Sequence, residues 1–278
     1  MVEQLSLNVW TTKNWTLAEA VAGCVEQGVP GIGLWRDKVA EHGLEAAAKL
    51  VHEAGLTVTS LCRGGFFTKA DADAHNAADN RAAVDECVAL GADVLVLVVG
   101  GLHRGSKDLP AARAAVLDGI AELAPYAESQ GVKLAIEPLH PMFCADRAVV
   151  STLGQALDIA EEVERRTGCR SVGACVDTYH IWWDPQVFEQ IERAGAAGRI
   201  HAFQACDVLI PIPADALLGR GHVGDGVIDI ASFARAVRAT GYAGFTEVEI
   251  FNQEIWDTPG EQTLRTVIDR HTQLLAEL

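Results

Sequence analysis

Short runs rich in Val, Ile and Leu alternate along the chain with longer segments in which apolar residues recur every three or four positions. The first pattern marks buried strands and the second amphipathic helices. The strand candidates are Leu5 to Trp10, Gly31 to Trp35, Thr57 to Cys62, Val94 to Val99, Lys133 to Pro138, Val172 to Asp177, Ile200 to Asp207 and Phe245 to Phe251. After the fourth run, Val116, Ile120, Leu123 and Ala127 share one helical face, and in the last segment Leu264, Val267, Ile268, His271, Leu274 and Leu275 do the same. Gly28, Gly55, Gly91, Gly131, Gly168, Gly198 and Gly241 each stand just past a helical pattern, where a left-handed cap is expected.

Strands that are nearly continuous in apolar residues, each joined to the next by a helix, imply parallel strands covered on both faces. Eight such units in 278 residues predict a single (β/α)8 barrel spanning residues 1–278, with no linker and no second domain. A doubly wound open sheet is the alternative, but it usually carries a Gly-rich phosphate turn after the first strand. Here Trp10-Thr11-Thr12-Lys13-Asn14 follows instead.

Composition narrows the partners. The chain has 22 Lys and Arg against 38 Asp and Glu, a net charge of −16, which opposes binding to nucleic acid or anionic lipid. The longest apolar runs, such as Val94 to Val99, are strand-sized, so no membrane span is expected. Met1-Val2-Glu3-Gln4 lacks the basic start of an export signal. The seven cysteines are odd in number and contain no CxxC pair, and they read as reduced, mostly buried thiols of a cytoplasmic protein.

In a barrel, reactive groups sit at the C-terminal ends of strands, so polar residues that break the apolar runs there carry the functional reading. The fifth run ends in Ile136-Glu137-Pro138 and the sixth in Asp177, with His180 three residues on. On the seventh, His201 and Gln204 point to opposite faces, so one of them faces the interior; on the eighth, Glu247 and Glu249 share a face. Each residue alone has a plain structural role available: a rim ion pair for Glu137, a helix cap for Asp177. Together, interior carboxylates from three strands repel one another and need a cation. An oxygen-rich set with at most one nitrogen suits Mn²⁺ or Mg²⁺. The aromatic cluster Ile181-Trp182-Trp183 after His180 suits a lid or an oligomer contact, leaving a homo-oligomer open.

These residues resemble the xylose-isomerase-like superfamily of metal-dependent sugar isomerases and epimerases. The resemblance covers almost the whole chain. It is carried by Ile136-Glu137-Pro138, Asp177-Thr178-Tyr179-His180, Gln204-Ala205-Cys206-Asp207, Arg220-Gly221-His222-Val223-Gly224-Asp225-Gly226 and Glu247-Val248-Glu249-Ile250-Phe251. It implies one divalent ion, Mn²⁺ first with Mg²⁺ or Co²⁺ as alternatives, held by Glu137, Asp177, Gln204 and Glu249. Gln204 is preferred to His201 because it stands three residues before Asp207, where the family commonly has His; Glu247 is the weaker candidate on the eighth strand. The resemblance further implies that Glu137 and Glu249 are acid and base, and that His180 and Arg220 bind substrate, with His222 and Asp225 at variable positions of the same loop. Trp10, Trp35 and Phe66, at the ends of the first three strands, are candidates for an apolar wall against the sugar.

The implied activity is isomerisation or epimerisation of a keto- or aldo-sugar, or of a related polyol ketone, by proton transfer through an enediolate. The alternatives are β-elimination from 3-keto-glycosides, as in C-glycoside deglycosidases, and a sugar-binding barrel with a degenerate site. The superfamily's endonuclease branch is disfavoured, since it needs a His-rich multi-zinc site and basic phosphate contacts. Arg63, Arg104 and Arg220 are the only basic residues read near the strand ends, so a non-phosphorylated substrate is expected.

Overall fold

The computed structural model describes residues 2–68, 73–103, 105–276 and 278; Arg104 lies outside them. Its strands are β1 (Leu5–Asn8), β2 (Gly31–Trp35), β3 (Thr57–Gly65), β4 (Val94–Val98), β5 (Lys133–Ile136), β6 (Val172–Asp177), β7 (Ile200–Ala205), β8 (Asp207–Val208), β9 (Arg220–Gly221) and β10 (Thr246–Val248). Eight of them close a parallel barrel in the order β1-β10-β7-β6-β5-β4-β3-β2, with helices between successive strands. The (β/α)8 fold expected from the alternation is the fold observed.

Helix boundaries follow local chemistry. The helix Leu17–Gln27 opens with a capping box between Thr16 and Glu19 and closes on Gly28 at φ 70°, where a side chain would be strained. The faces read from periodicity are buried: Val116, Ile120, Leu123 and Ala127 pack inward, as do Leu264, Val267, His271 and Leu274. The helical stretch after β2 is interrupted at Gly43, which divides Arg36–His42 from Leu44–Glu53.

The first, fourth, fifth and eighth runs end as strand at Asn8, Val98, Ile136 and Val248, one to three residues early, and two further boundaries differ for reasons of their own. The third strand runs on through Arg63, Gly64 and Gly65, residues with little apolar signal that keep pairing with β4 across a register shift. The seventh stops at Ala205, and Asp207–Val208 leaves the barrel to pair antiparallel with β9. Asp207 drives that departure. Its carboxylate accepts from the backbone N–H groups of Val208, Gly224, Gly226 and Ile228, at 2.9 to 3.1 Å, and so wraps the following loop around itself. At Gly226 an added Cβ would fall 2.5 Å from that carboxylate, which accounts for the glycine.

The main apolar core lies between strands and helices. Inside the barrel, Cys62, Val94, Val96, Ala135, Cys175 and Ala202 form a second apolar layer. The remaining interior is polar: Ser6, Glu247 and Gln204 stand in register on β1, β10 and β7, buried with Asn8 and Ser60. All seven cysteines are free, and only Cys144 is less than buried. Among the described residues no helix is long and apolar enough to cross a membrane.

Candidate active site

Three carboxylates meet at the C-terminal mouth of the barrel. Glu137 follows β5 and hydrogen bonds through its backbone N–H to Leu97 on β4. Asp177 ends β6, and its Oδ1 accepts from the Tyr179 N–H at 2.8 Å, capping the turn Thr178–Ile181 that carries His180. Glu249 follows β10, where Trp35 Nε1 donates to its Oε1 at 3.1 Å. All three are buried, at 6%, 0% and 3% exposure.

A single guanidinium stands among them. Arg220 Nη1 lies 3.0 Å from Glu249 Oε2 and 3.3 Å from Asp177 Oδ2, while Nη2 is 3.1 Å from His180 Nε2. The rings of Tyr179 and Phe251, each 4.7 Å from its Cζ, sandwich it, and Asn252 Nδ2 anchors its backbone carbonyl at 2.8 Å. His180 Nε2 is 3.8 Å from Glu137 and 3.8 Å from Asp177.

The charges do not balance. Burial, then Asp177 and Glu249, hold the Glu137 carboxyl well above the usual carboxylate range. Burial raises Asp177 against the pull of Arg220 and the Tyr179 N–H. Burial, with Asp177 and Glu247 adding to it, pushes Glu249 up to about 7 despite Arg220. His180 is held well below its ordinary value by burial and by Arg220, so it is neutral. Three buried carboxylates thus share one fixed cation, the condition under which a divalent ion is favourable. Glu137, Asp177 and His180 offer ligand atoms within 4.8 Å of one another.

Of the pair His201 and Gln204, it is Gln204 that faces the barrel interior, with Asp177 and Glu247 as its register neighbours. Its Nε2 donates to Glu247 and, among the described residues, its Oε1 accepts only from the Cys175 thiol at 3.3 Å, a weak donor. Glu247 lies one layer deeper than Glu249 and is satisfied by Asn8, Thr59, Ser60 and Gln204. The close approach of this carboxylate requires Gly33, whose added Cβ would fall 2.5 Å from it. His201 is at the other pole, lining a separate hollow with Lys133 and Tyr242. His222 is half-buried in the β9 loop and does not line the mouth cavity, and Asp225 pairs with Arg270.

The cavity above the carboxylates encloses about 590 Å³ and is lined by Glu137, His180, Arg220 and Glu249 at its floor. Trp10, Trp35, Phe251 and Trp256 form its aromatic wall, with Trp10 stacked on Phe251 at 5.2 Å. The Trp10 indole N–H is buried without a partner among the described residues. Phe66 contributes no lining; it packs under the Arg63 guanidinium at 4.3 Å. Sequence reasoning missed Trp256, Lys13 and Arg147, which also line this cavity. Lys13 follows the first strand closely enough to have been found, whereas Arg147 enters from the loop after β5 and Trp256 from the short helix Gln253–Asp257 beyond the last strand.

A closed parallel barrel with acidic residues at the C-terminal ends of β5, β6 and β10 defines a class of barrel enzymes. The chain belongs to the xylose isomerase-like TIM barrel family, whose model matches residues 19–274. It is 25% identical to an inosose isomerase of Bacillus licheniformis over 96% of this chain and 95% of that protein. It is 27% identical to an L-ribulose 3-epimerase of Methylomonas sp. over 92% and 86%. A solved structure of a protein from Sinorhizobium meliloti 1021 superposes with a TM-score of 0.94 at 47% identity, covering 99% of each chain. The IOLI protein, crystallised with a bound zinc atom, superposes at 0.83 with 23% identity over 99% and 98%. These similarities support a sugar isomerase or epimerase.

Proposed function

We propose that this protein is a divalent-metal-dependent isomerase or epimerase of a keto- or aldo-sugar. The observation that carries this reading is that Glu137 and Glu249 lie on the floor of an aromatic-walled cavity with the Arg220 guanidinium, which also reaches the fully buried Asp177 beneath. The named activities of the similar proteins and the zinc atom of the IOLI protein point the same way.

Glu137, Asp177 and Glu249 would hold the ion, with Gln204 Oε1 as fourth ligand, because a thiol is the only donor that this oxygen now accepts. Oxygen donors of this kind suit Mn²⁺. A bound ion would act as a Lewis acid on the substrate carbonyl, lowering the cost of an enediolate. Glu137 and Glu249 come from strands separated around the barrel by β6 and β7, and so flank a substrate from two sides. Glu249, oriented by Trp35 and Arg220, takes the proton from the carbon beside the carbonyl, and Glu137 returns one. Return to the same carbon from the other face inverts it; return to the adjacent carbon isomerises.

His180 serves better as a donor than as a metal ligand. The His140 backbone N–H donates to its Nδ1 at 3.2 Å, which leaves the proton of the neutral ring on Nε2. Nε2–H then faces Arg220 Nη2, another donor, at 3.1 Å. A substrate oxygen entering between the two would turn that contact into two hydrogen bonds.

The test is solvent exchange. Mn²⁺-loaded protein in heavy water should wash deuterium into the carbon beside the carbonyl of a turned-over ketose. Glu249→Gln should lower this by roughly 10² to 10⁴, and Asp177→Asn, which keeps the cap to Tyr179, should lose bound Mn²⁺. Turnover without deuterium in the product would replace proton transfer by hydride shift, and an unsaturated product would indicate elimination.

A further inference from the structure

The rim of the mouth cavity carries charge that proton transfer does not use. Lys13 after β1, Arg63 in β3 and Arg147 in the loop after β5 all line it, above Arg220. This gathering runs against a composition with a net charge of −16. Several arginines elsewhere are neutralised, Arg36 by Asp79 and Glu86, Arg166 by Glu162 and Asp118, Arg193 by Asp158 and Glu161. Among the described residues, Lys13, Arg63 and Arg147 enter no ion pair and no side-chain hydrogen bond.

Aromatic faces hold them instead. Lys13 Nζ sits 3.9 Å from the Trp256 ring, Arg63 Cζ 4.3 Å from Phe66 and 5.7 Å from Trp35, and Arg147 Cζ 5.9 Å from Phe143. A ring face fixes a cation while leaving its N–H donors free for a ligand. Arg63 is lowered from its ordinary value by burial first, with Arg147 adding in the same direction against the opposing pull of Glu137 and Asp37, so the two guanidinia repel across the cavity. Asp37 is the one carboxylate lining the rim with them. Two mutually repelling, unneutralised guanidinia and an ammonium around one opening form a site for an anionic oxygen group.

Resting on the proton-transfer reading of the same cavity, we propose that the substrate is an anionic keto-sugar. Its carboxylate or phosphate end is gripped by Arg63 with Arg147 and Lys13, and its carbonyl end lies against Glu137, Asp177 and Glu249. The non-phosphorylated substrate expected from the strand-end residues alone did not count Lys13 and Arg147, which line the cavity with Arg63.

Three probes that differ only at the sixth carbon test this: fructose, fructose 6-phosphate and fructuronate. Each is titrated calorimetrically into Mn²⁺-loaded protein, with deuterium wash-in followed in parallel. At least one anionic probe should bind about 30-fold or more tightly than fructose, the loss expected when one partner of a desolvated charge pair is removed. Which of the two does so separates phosphate from carboxylate. Arg63→Gln and Arg147→Gln should each pull that ratio toward one, and added salt should reduce it. Arg147 is exposed on its loop, so its variant keeps the test intact if Arg63→Gln fails to fold. Equal binding of the three probes, no binding of either anionic one, or a preference that survives both variants would overturn the proposal. An anionic preference without wash-in from any probe would uphold this site and remove the proton-transfer reading; wash-in without the preference would do the reverse.

Discussion

Gln204 donates through Nε2 to Glu247 Oε1 at 2.9 Å, between adjacent strands inside the barrel. A carboxylate only accepts, so this bond fixes which end of the amide is which: NH₂ toward Glu247, carbonyl toward Cys175. Gln204→Ala would take one donor from a buried carboxylate and one oxygen from the proposed ion. It should cost about 1–3 kcal/mol in urea unfolding and weaken Mn²⁺ binding in calorimetry. His201→Ala, at the opposite pole, should leave Mn²⁺ affinity as in the wild type. If the His201 change strips the metal and the Gln204 change does not, the strand-seven assignment is reversed.

Parity along the pleat put Glu247 and Glu249 on one face and His201 and Gln204 on opposite faces, because alternation depends only on local backbone geometry; the choice of Gln204 over His201 came from its place three residues before Asp207. The barrel itself was legible for the same reason: apolar runs and helical periods are local signals. Glu247 was harder to assign, since its role depends on Asn8, Thr59 and Ser60 from two distant strands. The β8–β9 ribbon was hidden too. It arises from four backbone N–H groups closing on Asp207, and no apolar pattern reports that. Arg147 reaches the cavity from an irregular segment and Trp256 from the five-residue helix Gln253–Asp257, too short to show an apolar period.

Trp35 supplies a second test of how Glu249 is held. Its indole N–H donates to Glu249 Oε1 and draws that carboxyl down against the effect of burial. Trp35→Phe keeps the aromatic wall and removes the donor. A hydrogen bond to a charged group is worth about 1.5–3 kcal/mol, so turnover should fall roughly tenfold or more. The acidic limb of the pH profile of kcat should move to higher pH, because the proton is then harder to remove. A loss of turnover with the acidic limb unmoved would mean that Trp35 only shapes the cavity.

The pH dependence of stability separates the site from the rest of the molecule when two curves are compared in metal-free protein. Glu249 titrates at about 7 in the fold and near the ordinary carboxylate value, about 4.3, when unfolded. Between those values the folded chain binds the extra proton, so this contribution is fully present below the unfolded value and is lost as pH rises through about 7. The buried histidines act in the opposite sense. His140, His180, His201, His222 and His271 are all held below their ordinary value, chiefly by burial, so their contribution is present above about 6.5 and is lost as pH falls from there through their lower folded values. A single curve therefore mixes the two. Glu249→Gln cannot titrate at that position but keeps every histidine, so the difference between wild type and variant isolates the carboxyl. Measured by urea unfolding from about pH 5 to 8, the wild-type advantage should decline with rising pH by up to about 1.4 kcal/mol per unit. The constant offset between the curves carries the lost Arg220 and Trp35 contacts and is not the prediction; the slope is. Excess Mn²⁺ should stabilise the wild type most at the alkaline end, where its ligands are already deprotonated. A difference curve that is flat or rises with pH would mean that Glu249 is not the strained carboxyl of this site.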